Sequence, residues 1–159
     1  MQGMLVRAKP LNLDKYYSQA DRLIRFGETF KCIDTARRMN DEELVGMVTT
    51  PADEQYFSFT LKAYSFISPV TIDNIGRFML LSEYQKNGGA IVPVYIKSAK
   101  KYADFVEGES LYVYCRLISQ KQDNVVYSAQ VTNKNNKLVF TIEDMELSRI
   151  ARETGDHNL

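Results

Sequence analysis

The segment "TIDNIGRFMLLSEYQKNGG" most constrains the fold, because it predicts a helix that must be buried. Ser68 can cap this helix and Pro69 suits its first position, while Gly88 and Gly89 suit its end. At about 100° per residue an apolar face forms, and neighbouring leucines extend it nearly all round the helix. The apolar residues are Ile72, Ile75, Phe78, Met79, Leu80 and Leu81. A helix this apolar is usually enclosed by the rest of its domain.

Strand-like segments lie on both sides of this helix. Residues 30–39 and 43–50 flank an Asn-Asp turn signal and predict a hairpin, and the alternating stretch 56–67 predicts a third strand. After the helix, four strand-like segments are separated by the hairpin-like sequences "EGE", "KQDN" and "NKNNK". Pro93, within the first of the four, indicates an edge strand or a bulge.

Together these elements predict an α+β fold, a single hotdog, in which a curved antiparallel sheet wraps around the central apolar helix. Another helix is expected before the sheet, from Asn12 to its stop at Gly27. We expect an N-terminal helical extension, a hotdog domain and a flexible tail, at residues 1–28, 29–150 and 151–159. A lone hotdog leaves a sheet edge open, so we expect a second hotdog chain as its partner, in a homodimer or a heterodimer.

Composition and charge restrict the classes of partner. Lys and Arg together number 20, as do Asp and Glu, so no net field attracts nucleic acid or an anionic membrane. No signal-like apolar core and no run of about 18 apolar residues occurs, which predicts a cytoplasmic protein without a membrane partner. Cys32 and Cys115 lie in apolar alternating stretches and fit buried thiols better than a disulfide or a zinc site. We therefore expect no metal and no cofactor.

A carboxylate and a guanidinium interrupt the apolar helix. Asp73 and Arg77 have i, i+4 spacing, which places them side by side on one face. Buried charges usually have a partner or a purpose, so this pair is either a candidate catalytic site or a structural ion pair. The same face carries Gly76, Leu80 and Tyr84.

The only histidine, His157, lies in the polar tail "RETGDHNL", where an ordered catalytic geometry is hard to maintain. A reaction that needs a catalytic imidazole would therefore have to take it from elsewhere.

Three stretches resemble the C-terminal half of the double-hotdog dehydratase domain of polyketide synthases. "YYSQADRLIRFGETFK" is similar to the family's linker, with Phe26, Gly27 and Phe30 at the expected positions. "SPVTIDNIGR" resembles the segment His-Pro-x-Leu-Leu-Asp-x-x-x-Gln, with Asp73 at the catalytic aspartate. "VTNKNNKLVFTIEDMELSRI" is similar to the closing hairpin. The resemblance spans about residues 11–150.

Several positions depart from the family pattern. In the linker, Leu23 replaces a glycine and Glu28 replaces the proline. Ser68 stands where the family has a histidine, and Arg77 stands where it has a glutamine or histidine. The family's first-half motif, His-x-x-x-Gly-x-x-x-x-Pro, does not occur in this sequence.

The resemblance implies a dehydratase-like component of polyketide or fatty-acyl biosynthesis, acting on or binding β-hydroxyacyl thioesters on an acyl carrier protein. In the family, a first-half histidine removes the α-proton and the aspartate protonates the departing hydroxyl. Asp73, with Arg77 beside it, would supply the acid, and a partner hotdog the histidine. The remaining candidates are the substrate-binding residues Ser68, Pro69, Gly76, Leu80 and Tyr84, and the carrier-docking residues Lys97, Lys100 and Lys101.

Two other functions stay open. The chain could be a degenerate, non-catalytic dehydratase module for dimerisation or for acyl or carrier binding. It could also be a hotdog thioesterase, in which ionised Asp73 acts as a base or a nucleophile. The pKa of Asp73 bears on this choice, because Arg77 would lower it and burial would raise it. The sequence does not decide which effect is larger.

Overall fold

A computed structural model of the protein describes residues 2–20, 31–50, 69–87, 90–104, 106 and 108–151. Three helices and seven strands form within these residues. In chain order they are α1 (Gln2–Arg7), β1 (Lys9–Pro10), α2 (Leu13–Ala20), β2 (Ile33–Arg38), β3 (Glu43–Thr49), α3 (Pro69–Asn87), β4 (Ala90–Lys101), β5 (Ser110–Lys121), β6 (Asn124–Thr132) and β7 (Leu138–Ala151).

The strands form one antiparallel sheet around helix α3. Their order is β1-β2-β3-β5-β6-β7-β4, and each neighbouring pair is antiparallel. The core lies between the helix and the sheet, and its members are fully or almost fully buried. They include Ile75, Phe78, Met79 and Leu81 of α3 with Val48, Val113, Val131, Phe140 and Leu147 of the sheet. The predicted α+β hotdog is therefore confirmed.

Most of the local predictions are confirmed. The first hairpin forms between β2 and β3, and the sequences "KQDN" and "NKNNK" turn between β5, β6 and β7. Gln122 adopts a φ of 45° in the first of these two turns. In the second, Asn133 Oδ1 accepts hydrogen bonds from the backbone N–H groups of Asn135 and Lys137. Pro93 lies on β4, which is an edge strand with a shift of register between Pro93 and Tyr95.

The hairpin expected at "EGE" is wrong. Strand β4 pairs with β7, whereas β5 pairs with β3, so the chain between β4 and β5 crosses from one edge of the sheet to its interior. A turn-forming sequence predicts only that the chain changes direction locally. Which strands pair depends on long-range packing against α3. The third strand predicted at 56–67 and the tail with His157 lie outside the described residues.

The N-terminal segment adds to the sheet as well as to the helices. The helix expected from Asn12 appears as α2, which ends at Ala20, and residues 21–30 lie outside the described part. The sequence did not predict α1 or β1. Lys9 of β1 pairs with Arg38 of β2, which extends the sheet by one short strand. None of the described helices is long and apolar enough to cross a membrane.

Glycine 46 allows α3 to approach the sheet closely. A Cβ atom at Gly46 would lie 2.1 Å from the carbonyl oxygen of Thr35 and 2.3 Å from the Phe78 ring. Gly76 on α3 differs, because a Cβ there would meet Met145 at 3.6 Å, an ordinary contact distance. The chain therefore needs a glycine at position 46 for packing.

A buried carboxylate joins the C-terminal end of α3 to the sheet. The side chain of Glu83 is 1% exposed and accepts hydrogen bonds from the Tyr127 hydroxyl at 2.5 Å and the Asn87 amide at 3.3 Å. Arg149 Nη2 lies 3.2 Å from Oε2 of Glu83, and Lys86 Nζ lies 3.7 Å from Oε1. These contacts tie α3 to β6 and β7.

Candidate functional site

Asp73 and Arg77 are in direct contact, as their spacing on the helix predicts. Arg77 Nη2 lies 2.6 Å from Asp73 Oδ2. The two side chains differ in exposure, with 6% for Arg77 and 42% for Asp73. The guanidinium is thus enclosed by the protein, while the carboxylate is partly exposed at the surface.

Helix α2 contributes aromatic residues next to this pair. The rings of Tyr16 and Tyr17 lie 5.3 Å apart, and Tyr16 also meets Tyr84 of α3 edge-on at 5.9 Å. Burial raises the pKa of Tyr17 to about 12 and the pKa of Tyr16 well above its ordinary value, and in each case the Arg77 guanidinium opposes the shift. Both hydroxyls are therefore neutral at physiological pH.

The structure decides the direction of the Asp73 pKa. Burial raises the pKa of the Asp73 carboxyl above its usual value, and this effect is larger than the opposing charge and hydrogen bond of Arg77. The carboxyl accordingly keeps its proton to a higher pH than an exposed aspartate does. A proton donor needs a shift in this direction.

The predicted substrate-binding residues lie in different surroundings. Ser68 is outside the described residues, and Pro69 is the first residue of α3. Gly76 lies against Met145 of β7, and Leu80 belongs to the core. Gly76 also directly precedes Arg77 on α3, and Tyr84 meets the Tyr16 ring of α2 edge-on.

The three candidate docking lysines do not form one basic patch. Lys97 lies 3.5 Å from Glu143 and 3.2 Å from Asp144, and Lys101 lies 2.6 Å from Asp104. Alternation along β4 places Lys100 on the opposite face from Lys97 and Lys101. Two of the three charges are thus offset by neighbouring carboxylates.

Sequence reasoning missed two features of this site. It assigned Tyr16 to a helix but did not place it beside Arg77, because the contact between α2 and α3 is a long-range one. It also passed over Asn74, which is fully buried one residue after Asp73. An amide within an apolar helix was the available signal.

Comparison with known proteins assigns the family. The sequence model described as "Polyketide synthase dehydratase N-terminal domain" matches residues 7–157. The chain belongs to the polyketide synthase dehydratase family. The description of that model names the N-terminal domain, whereas the motifs in the sequence resemble the C-terminal half, so the assignment to a half stays a prediction. No curated protein sequence matches the chain.

Solved dehydratase structures share the fold. GphF Dehydratase 1 is 18% identical with a TM-score of 0.75, over 91% of this chain and 52% of that chain. The dehydratase domain from the CurJ module of curacin polyketide synthase is 15% identical with a TM-score of 0.74, over 94% and 52%. The dehydratase domain of RzxB from Pseudomonas fluorescens is 10% identical with a TM-score of 0.73, over 89% and 50%. The chain spans about half the length of these dehydratases.

The contact between Asp73 and Arg77 predicts energetic coupling. Asp73→Asn alone leaves a buried guanidinium without its carboxylate, whereas Asp73→Asn with Arg77→Gln leaves a neutral pair. We expect a coupling energy of about 1–2 kcal/mol, less than for a fully buried pair because Asp73 is 42% exposed. A double-mutant cycle by urea denaturation measures it, and strictly additive losses would contradict the contact.

Proposed function

We propose that the chain is one hotdog of a dehydratase that acts on β-hydroxyacyl groups held as thioesters on an acyl carrier protein, with Asp73 as the proton donor. The observation that carries this proposal is the Asp73 carboxyl itself. By the resemblance of its segment it stands where the family motif has the catalytic aspartate, it is partly exposed, and burial raises its pKa. These are the properties required of a group that must deliver a proton to a departing hydroxyl.

Asp73 and Arg77 would have different roles in the dehydration reaction. A base removes the α-proton, the electron pair of that C–H bond forms the Cα–Cβ double bond, and the bond to the β-hydroxyl breaks. Asp73 gives its proton to the hydroxyl, which leaves as water, and becomes a carboxylate. Arg77, 2.6 Å away, stabilises that new negative charge. Burial thus stabilises the protonated form of Asp73, and Arg77 stabilises the carboxylate that remains after proton transfer.

The base of this reaction would come from a second hotdog. The sequence has one histidine, at position 157 outside the described residues, so no described residue offers an imidazole near Asp73. Asp73 cannot serve as acid and base in the same step. The chain also spans about half of the solved dehydratases. The partner hotdog could lie on another chain or within a longer polypeptide.

Strand β4 is the surface that we propose for this partner. It is 12 residues long, and among the described strands it pairs with β7 alone. Val94 and Tyr95 are 55% and 57% exposed, and Ile96 is also exposed. The opposite edge, β1, has two residues and ends in a proline. A long edge strand with exposed apolar side chains invites pairing, whereas an edge of two residues offers few backbone groups to pair with.

This surface predicts self-association of the purified chain. We expect sedimentation equilibrium to show a dimer at micromolar concentration, and Val94→Lys with Tyr95→Glu to shift the chain to a monomer, because charged side chains would be buried at the interface. Ile118→Lys is the matched control, since Ile118 is 52% exposed on β5. A stable monomer of the unmodified chain would contradict pairing between copies.

The same proposal includes docking of the carrier protein at Lys97, Lys100 and Lys101. An acidic carrier protein would have to compete with Glu143, Asp144 and Asp104 for two of the three lysines. Its approach would therefore depend strongly on salt concentration.

Mass-spectrometric detection of water loss from a carrier-bound β-hydroxyacyl chain tests the proposal. We expect no turnover by the chain alone, turnover when a histidine-bearing hotdog of the family is added, and loss of that turnover with Asp73→Asn. Asp123→Asn, in the β5–β6 turn, is the matched control and should retain activity. Turnover by the chain alone would contradict the need for a partner.

A second function, that of a non-catalytic module, fits the same pair of residues. The Asp73–Arg77 pair also fits a structural ion pair, and the described residues hold no histidine. Binding of the acyl carrier protein without water loss, with or without the partner, would support this module.

A further inference from the structure

Asn74 occupies a position where an apolar residue would be expected. It is fully buried on α3, between the candidate acid Asp73 and the core residue Ile75. Burying an amide costs free energy unless both its polar ends are hydrogen-bonded. A helix that needed only to pack against the sheet would gain more from an apolar side chain here, so the amide requires a specific explanation.

Both ends of the Asn74 side chain are used. Its Nδ2 donates to the carbonyl of Val70 at 2.9 Å, which lies in the first turn of the same helix. Its Oδ1 accepts the backbone N–H of Cys32 at 3.2 Å. The carbonyl of Cys32 accepts the N–H of Thr49 at 3.0 Å. The backbone of Cys32 is thus held between β3 on one side and the start of α3 on the other.

The segment held in this way also reaches the residues around Asp73. Lys31, the neighbour of Cys32, places its ammonium 5.6 Å from the centre of the Tyr17 ring. Burial raises the pKa of the Tyr17 hydroxyl, and the charge of the Arg77 guanidinium opposes this shift. Asn74 therefore ties α3 to segment 31–32, and Lys31 of that segment contacts Tyr17 of α2.

We propose that Asn74 is a positioning residue for Asp73, fixing the first turns of α3 against segment 31–32 and so setting how deeply the carboxyl is covered. This inference rests on the proposed role of Asp73 as a proton donor. Burial and the neighbouring Arg77 of α3 act on the Asp73 carboxyl, and the charges of this pair reach Tyr16 and Tyr17 of α2. Lys31 and Cys32 belong to the segment before β2, where Lys31 lies over the Tyr17 ring.

Asn74→Ala tests the proposal, because it removes both hydrogen bonds without adding a charge. We expect the pKa of Asp73, followed by carbon-13 NMR of its carboxyl, to fall towards that of an exposed aspartate as water reaches the site. We also expect hydrogen exchange of the Cys32 amide to become roughly tenfold faster, the factor that corresponds to losing one hydrogen bond. Asn74→Ser provides the same two readouts should the alanine variant fail to fold.

Ser82→Ala is the matched control. Ser82 is also buried on α3 and accepts hydrogen bonds from Arg38 through its hydroxyl and its carbonyl. Its loss should reduce stability but leave the pKa of Asp73 unchanged. A folded Asn74 variant with an unchanged Asp73 pKa would overturn the proposal, as would rapid exchange of the Cys32 amide in the unmodified chain. Both readouts are independent of turnover, so they separate this inference from the proposed activity.

Discussion

Replacement of Glu83 by alanine should lower the free energy of unfolding by about 3–5 kcal/mol, the cost of breaking a buried ion pair by removing one partner. The carboxylate is 1% exposed, and Arg149, whose side chain is 10% exposed, lies 3.2 Å from it. The variant would leave the Arg149 charge without this buried carboxylate and the Tyr127 hydroxyl without its acceptor. Equilibrium denaturation in urea measures the loss.

Glu143→Ala is the matched control for this variant. Glu143 also lies beside a cation, Lys97 at 3.5 Å, but its side chain is 52% exposed. Exposed ion pairs contribute little to stability, so the control should be nearly neutral. Equal losses in the two variants would show that Glu83 is not buried as described.

Replacement of Gly46 by alanine should also destabilise the fold, by about 1–3 kcal/mol or more. The new methyl group would overlap the carbonyl oxygen of Thr35 at 2.1 Å and the Phe78 ring at 2.3 Å. Thr35 cannot retreat freely, because it belongs to β2, which is paired with β3 next to Gly46. Phe78 cannot retreat freely either, because it is fully buried on α3.

Gly76→Ala provides a control of the opposite sign. Its methyl group would lie 3.6 Å from the Met145 sulfur, and alanine favours a helix over glycine by about 1 kcal/mol. We therefore expect this variant to be neutral or stabilised by up to about 1 kcal/mol. If thermal denaturation gave both alanine variants the same stability, the close approach of α3 to β3 at Gly46 would be wrong.

The sequence predicted those elements whose signals are local. The apolar periodicity of α3 predicted that the helix is buried, and the turn residues predicted three hairpins. Pro93 predicted an edge strand or a bulge, and β4 has both. The i, i+4 spacing of Asp73 and Arg77 was enough to predict their contact. In each case the residues that decide the structure are neighbours in the chain.

Features that depend on distant residues were not predictable in this way. The pairing of β4 with β7 joins segments on either side of β5 and β6. Glu83, in the polar stretch "SEYQK", has the composition of an exposed helix end, but it is buried because it meets Tyr127 of β6 and Arg149 of β7. The direction of the Asp73 pKa depends on burial, which the helix spacing does not specify.

The titration of Asp73 tests the account most directly. Burial and Arg77 act on this carboxyl in opposite directions, and its role as a proton donor requires that burial prevails. Carbon-13 NMR of the Asp73 carboxyl should give a midpoint above the ordinary 3.8, and Arg77→Gln should raise it further by removing the opposing charge. A midpoint below 3.8 in the unmodified chain would mean that the ion pair dominates, and it would contradict the assignment of Asp73 as the acid.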